Sequence, residues 1–225
     1  MSKGILLFIE QRDGVVGRTS YEAMVAAQLI AAATGEPVSA AVFGKGVAAA
    51  AGEVASKKLE CVYTIEDDKL AEYTPDGYVA AFRHVVESLD PKFVIMSHTY
   101  QVRDFAPRLA ASLGRTLIAD CVGLRMSAGE AVFTRQIFQG KINTDVSPVA
   151  EPPIFATFQA GSYRADKAEA GSTAAVIKPF SVDLAACEIR TKPAAKFQEA
   201  KQAVDLTQAE KIVSVGRGIK SQENI

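Results

Sequence analysis

The chain is short of the residues that usually announce chemistry. In 225 residues it has two histidines and three cysteines. Neither His84 nor His98 stands at metal-ligand spacing or beside a serine-base-acid arrangement. Cys61, Cys121 and Cys187 are odd in number, far apart and each set in an apolar run, which excludes a disulfide framework and reads as reduced core thiols. Charge of one sign is missing too: 25 basic and 26 acidic residues leave a formal net charge of -1, so no bulk field draws in nucleic acid or anionic lipid. Nor is there a long hydrophobic run. The N-terminal one, Ile5 to Ile9, is far below a membrane span. Met1-Ser2-Lys3-Gly4 ahead of it leaves no room for a cleavable leader, so the expectation is a cytoplasmic protein with no membrane insertion.

What is present is alternation. Ile5 to Ile9, Val38 to Phe43, Cys61 to Ile65, Phe93 to Met96 and Leu117 to Val122 are near-continuous apolar stretches, as strands covered on both faces require. Helical patterns lie between them. Thr19 with Glu22 predicts a capping box for the first, which buries Tyr21, Val25, Leu29 and Ala32 and ends at Gly35. Thr74 and Pro75 predict the cap and first position of another, with Val79, Phe82 and Val86 inward. Asp104 predicts the cap of the next, which places Pro107 in its first turn. Four such βα units imply an α/β fold of three layers around a mostly parallel sheet.

After Val122 the rhythm changes. Val132 to Phe138, Lys141 to Val146 and Ile154 to Gln159 read as strands without helices, the first two joined by a Gln139-Gly140 hairpin, and suggest a small antiparallel extension. Gly161 to Thr173 reads as a loop, followed by strands near Ala175 to Val182 and Ala185 to Ile189. The domain expectation is a platform over 1–190, a lysine-rich linker over 191–208, and the start of a second domain over 209–225.

Candidate sites are few. Gly44-Lys45-Gly46-Val47-Ala48-Ala49 follows a strand and fits G-x-G-x-x-A, with Glu66 twenty residues beyond the second glycine. That spacing suits a pyrophosphate on a helix N-terminus and an acid on ribose, which would make a dinucleotide-binding enzyme domain. The alternative is a tight βα turn. His98 lies at the C-terminal end of its strand, the edge where open α/β sheets bind ligands. Arg103, Asp104 and Arg108 could grip a phosphate, or serve as a cap and surface arginines. Glu66-Asp67-Asp68 reads as a solvated acidic run.

The last residues tell most. Ile212, Val213 and Val215 predict a short strand running into Gly216-Arg217-Gly218, with Ser221 placed to cap a helix whose body does not follow. The run Ile212-Val213-Ser214-Val215-Gly216-Arg217-Gly218-Ile219-Lys220-Ser221-Gln222-Glu223-Asn224 resembles the opening strand and turn of the flavin domain in the alpha subunit of electron transfer flavoprotein. The resemblance extends upstream through Asp104-Phe105-Ala106-Pro107-Arg108-Leu109-Ala110-Ala111, Leu117-Ile118-Ala119-Asp120-Cys121-Val122 and Pro153-Ile154-Phe155-Ala156-Thr157-Phe158.

It implies an adenine nucleotide alpha-hydrolase-like fold without catalytic use, and an electron carrier rather than an enzyme. It implies that Arg217 contacts FAD, that the family's C-terminal FAD-binding domain is absent here, and that the partner is a beta subunit carrying AMP. Flavin dehydrogenases such as acyl-CoA dehydrogenases would donate electrons and a quinone oxidoreductase would accept them, as in fatty acid beta-oxidation. A ligand-free interaction module is the remaining alternative.

Overall fold

Strand β1 (Ile5–Ile9) is buried along its whole length and is the element on which the sheet is laid out. The computed structural model describes residues 3–127, 129–194 and 211–224. The chain divides into two units, Met1–Pro193 and Ala194–Ile225.

In the first unit, β1 leads through a two-strand hairpin, β2 (Gln11–Arg12) and β3 (Val15–Val16), into α1 (Arg18–Thr34), β4 (Val38–Gly44), α2 (Ala48–Ala55) and β5 (Cys61–Glu66). Then come α3 (Pro75–Leu89), β6 (Phe93–Ser97), α4 (Tyr100–Ser112), β7 (Leu117–Ser127), β8 (Glu130–Ile137), β9 (Ile142–Val146), β10 (Ile154–Phe158) and β11 (Val176–Pro179). The main sheet has nine strands in the order β11-β5-β4-β1-β6-β10-β7-β8-β9. From β11 to β7 neighbouring strands pair in parallel, and β8 and β9 extend the sheet antiparallel. The α/β expectation and the Gln139-Gly140 hairpin are met.

Two cores lie against the sheet. One packs alanines and aliphatics of α1 and α2 against Ile5, Leu7, Ile9, Val42 and Phe133. The other joins Phe8, Phe43, Tyr78, Phe82 and Phe105 under α3 and α4, with Phe8 and Phe105 in edge contact at 5.2 Å between ring centroids. Aromatic rings bury large areas, so this side carries much of the hydrophobic stabilisation.

Several local expectations are corrected. Helix α1 starts at Arg18, with extended Gly17 as its N-cap and no side-chain cap. Glu22 lies on the buried face, where its carboxylate accepts from the Gly161 amide at 2.7 Å, so it cannot reach back to complete a box with Thr19. The tightly packed face is Ala23, Met24, Ala26, Ala27 and Ile30, small enough to let the helix lie close to the sheet, while Leu29 is 44% exposed. The helix does end at Gly35, in the left-handed region at φ 73.

Thr74 caps α3 as expected, accepting from the Gly77 amide. Helix α4 is capped instead by Thr99, whose hydroxyl accepts from the Val102 amide, one turn before Asp104. Asp104 sits within the helix and accepts from the Tyr73 hydroxyl at 2.7 Å. Pro107 is consequently interior, and the helix continues past it to Ser112.

Ile154–Phe158 was expected in the antiparallel extension, yet β10 inserts between β6 and β7, parallel to both and fully buried. Its unbroken apolar run is the pattern of a two-face-covered parallel strand. The expected strand at Ala185 to Ile189 is a turn and irregular chain, because Lys69 Nζ donates to the carbonyls of Leu184, Ala185 and Cys187 that a ladder would have used.

The expected linker over 191–208 lies mostly outside the described residues. In the second unit, Ile212 to Val215 forms no strand among the described residues; these side chains are exposed, and a strand without a neighbour has nothing to satisfy its backbone. It leads to two short 3-10 turns, Arg217–Ile219 and Gln222–Asn224.

Candidate functional site

Reading outward from β1, the chain lays down β4 and β5 on one side and then β6 on the other, so the topological switch lies between β1 and β6. The crevice beyond the carboxyl ends of such strands is where open α/β sheets bind ligands. Here the Thr99 hydroxyl donates to Glu10 across that crevice and closes it with the chain's own groups. The open space lies one step further along the same edge, beyond β6, β10 and β7.

Its centre is His98, the first residue after β6. The His98 amide donates to the Phe158 carbonyl at 2.7 Å, and Nδ1 sits 2.9 Å from the hydroxyl oxygen of Thr157, which is buried on β10. That oxygen also accepts from the Asp120 amide at 3.0 Å. Asp120 occupies the left-handed region at φ 60, unusual for a residue within a strand, and puts Oδ1 3.7 Å from His98 Nε2. Burial pushes the His98 pKa below its ordinary value, the Asp120 carboxylate opposes that shift, and the Arg103 and Arg135 charges reinforce it.

Two adjoining spaces open here. One, of about 330 Å³, is bounded by His98, Arg103, Pro107, Asp120, Arg135 and Thr157, among others; the second, of about 470 Å³, shares His98, Arg103 and Asp120 and adds Tyr100 and Gln159.

The sequence pointed to His98 and missed Asp120, Thr157 and Arg135. Asp120 and Thr157 interrupt otherwise apolar strand runs, which was the available signal; Arg135 sits in a mixed run that gave none.

The proposed phosphate set does not assemble. Arg103 stacks over Tyr100, Asp104 receives Tyr73, and Arg108 turns to Asp76 at 2.7 Å. His84 accepts from the Asp183 amide at 3.4 Å.

The glycine turn is also self-contained. Glu66 Oε1 accepts from the Val47 amide at 2.7 Å, taking a donor at the start of α2 that a pyrophosphate would need. Lys45 pairs with Asp68 at 2.8 Å, and Asp67 caps the turn at Lys69. A Cβ at Gly44 would lie 2.7 Å from Gln11 Nε2 and 2.9 Å from Val47 Cγ1, so the space over the turn is filled. Gly44 and Gly46 serve a tight βα turn, and Glu66 closes it. Cys61 and Cys121 are buried and Cys187 half-buried, all three as free thiols. Among the described residues no group of His, Cys, Asp and Glu could hold a metal, and no helix is long and apolar enough to cross a membrane.

Within the second unit, Arg217 opens a 3-10 turn between Gly216 and Gly218, neither of which has a heavy atom near the position a Cβ would take. The arginine is exposed. Ser221 directly precedes the 3-10 turn Gln222–Asn224, and its hydroxyl oxygen accepts from the Asn224 side chain at 3.1 Å.

The family model described as electron transfer flavoprotein domain matches residues 5–185. The electron transfer flavoprotein subunit alpha of Syntrophomonas wolfei is 36% identical over 225 residues, 99% of this chain and 68% of the relative. That of Bacillus subtilis is 34% identical, over 99% of this chain and 67% of its own. The acryloyl-CoA reductase electron transfer subunit beta of Anaerotignum propionicum is 27% identical over 96% of this chain and 66% of that subunit. The chain thus spans about two thirds of the length of these relatives. A match across nearly all of the first unit, with relatives of this identity and coverage, means that the chain belongs to the electron transfer flavoprotein family, in line with its alpha subunits.

Proposed function

We propose that this chain is the assembly platform of an electron-carrying heterodimer. Its first unit packs against a beta subunit, and the turn at Arg217 contributes to holding the flavin. The observation that carries this reading is the family match over residues 5–185, together with alpha-subunit relatives aligned over 99% of the chain. The function is electron carriage rather than substrate turnover.

FAD is the cofactor this reading implies, with AMP in the beta subunit. The Gly216-Arg217-Gly218 turn fits a flavin edge or its diphosphate, because it is open and presents a guanidinium, a bidentate donor for anionic oxygens. Bound there, flavin would accept and release electrons one at a time. Arg217 would supply positive charge near the ring system or its phosphates and favour reduced, anionic forms. Flavin dehydrogenases, such as acyl-CoA dehydrogenases, are the proposed donors, and a quinone oxidoreductase the proposed acceptor, with a cytoplasmic location.

Co-expression with the matching beta subunit, followed by gel filtration and a visible spectrum, tests the reading. A 1:1 complex is expected, colourless if Arg217 is the main flavin contact present. A yellow complex would mean that the two chains hold flavin with groups beyond Arg217. Failure to co-elute, with both chains folded, overturns the platform role.

A further inference from the structure

The 330 Å³ cavity beside His98 is bounded by two guanidinium groups that form no ion pair among the described residues. Six arginines of the first unit, Arg18, Arg83, Arg108, Arg125, Arg164 and Arg190, each hold a carboxylate. Arg103 and Arg135, which share this cavity, form no ion pair among the described residues, and the same holds for Arg12 and Arg115 elsewhere in the unit. Arg135 Nε is buried and has no acceptor there. Arg135 is half-buried, so its remaining guanidinium donors and those of Arg103 are the groups an acceptor in the cavity would meet.

Thr157 Oγ1 accepts from the Asp120 amide and lies 2.9 Å from His98 Nδ1; in the tautomer carried here, the Thr157 hydroxyl donates to Nδ1. His98 Nε2–H is thereby left as a donor on the side of Asp120. The cavity offers two guanidinium groups and an imidazole N–H as donors, and one carboxylate, Asp120, as acceptor. A fully deprotonated anion would meet repulsion from Asp120. An oxyanion that keeps one proton satisfies every group, since its oxygens accept from the arginines and His98 while its O–H donates to Asp120. With about 30 Å³ for each water in the liquid, the volume admits such an ion together with a substituent or several waters.

We propose that this cavity is a binding site for a protonated phosphate oxyanion, either free hydrogen phosphate or the phosphate of a small ester, gripped by Arg103 and Arg135 and selected by Asp120. The site lies entirely within the first unit and stands independently of where the flavin binds.

Isothermal titration of the full 225-residue chain with inorganic phosphate, at constant ionic strength and pH 7, tests it. The expected result is one site per chain, at least tenfold preference for phosphate over sulfate, and at least tenfold weaker binding in Arg135→Gln. Asp120→Asn should narrow the preference over sulfate, because the amide can donate where the carboxylate could only accept. Titration with glycerol phosphate separates the sources: tighter binding than inorganic phosphate identifies an ester, and equal or weaker binding identifies the free ion. Arg103 lies on the exposed side of α4, so Arg103→Gln provides a second variant if Arg135→Gln lowers the melting temperature. No saturable heat from phosphate, equal affinity for sulfate, or unchanged affinity in the folded arginine variants overturns the site.

Discussion

Asp76, in the first turn of α3, and Arg190, 114 residues later, are joined three ways: the Arg190 amide and Nε donate to Oδ2, and a terminal guanidinium nitrogen donates to Oδ1 at 2.7 Å. Arg108 donates to the same Oδ1 from α4. The carboxylate therefore ties two helices and the far end of the first unit at one buried point.

Hydrogen bonds from Arg190 and then Arg108 hold the Asp76 carboxyl well below the usual range. A group whose native pKa is depressed stabilises the fold above its unfolded value, about 3.9 for aspartate, and loses that contribution as pH falls through the native one. The stability gap between wild type and Asp76→Asn should accordingly be largest near neutral pH and shrink below about pH 4. Urea unfolding across that range measures it; a gap that widens on acidification would contradict the assignment.

His98 should titrate below its ordinary value, because partial burial and the Arg103 and Arg135 charges outweigh the Asp120 carboxylate. Arg135→Gln should raise the midpoint and Asp120→Asn lower it. Imidazole proton shifts followed by NMR read both changes, and opposite signs would show that the ring faces elsewhere.

Burial pushes the Cys121 thiol up to about 12 and moves Cys61 in the same direction. At pH 8 the native chain should react with a thiol reagent at the half-buried Cys187, and at the other two only after denaturant is added. Three thiols reacting together without denaturant would be inconsistent with this fold.

Gly44 is held at φ 150 with Gln11 and Val47 against the place a Cβ would take. Gly44→Ala should lower stability by about 1–3 kcal/mol through backbone strain and crowding, seen as a lower denaturation midpoint with unchanged slope. Gly46→Ala meets no such neighbour, and the strain at φ 71 is its main penalty. Equal losses at the two positions would remove crowding as the cause.

The parallel sheet was legible because Ile5 to Ile9 and its counterparts are apolar on both faces, a pattern few other elements produce. Capping was only partly legible. Thr74-Pro75 was read correctly, yet Asp104 and Thr99 are both able caps, and the choice between them rests on Tyr73, thirty-one residues from Asp104 in sequence. The Asp13-Gly14 turn of the β2–β3 hairpin carried a strong local signal in its two positive-φ residues and went unread. For the site, His98 stood out by type. Thr157, Asp120 and Arg135 come together only because β10 inserts between β6 and β7 and β8 pairs with β7, and no local pattern encodes that adjacency. The turn around Gly44 matched a nucleotide fingerprint, but Glu66 capping Val47 is a tertiary fact invisible to spacing.

The place of β10 in the sheet has a bearing on how the chain is made. Strands β6 and β7 emerge from the ribosome well before Ile154–Phe158, and each has an edge that only β10 can fill. Between those two moments the growing chain carries two apolar strands with unpaired backbone groups facing a strand-wide gap. In chain order the β8–β9 hairpin also precedes β10, so it is available to lengthen the far side before the gap can close. Closure of a long loop onto a waiting slot is slow, and bare strand edges invite pairing with other chains. The interval in synthesis between Ser127 and Phe158 is therefore when this protein is most exposed to misassembly.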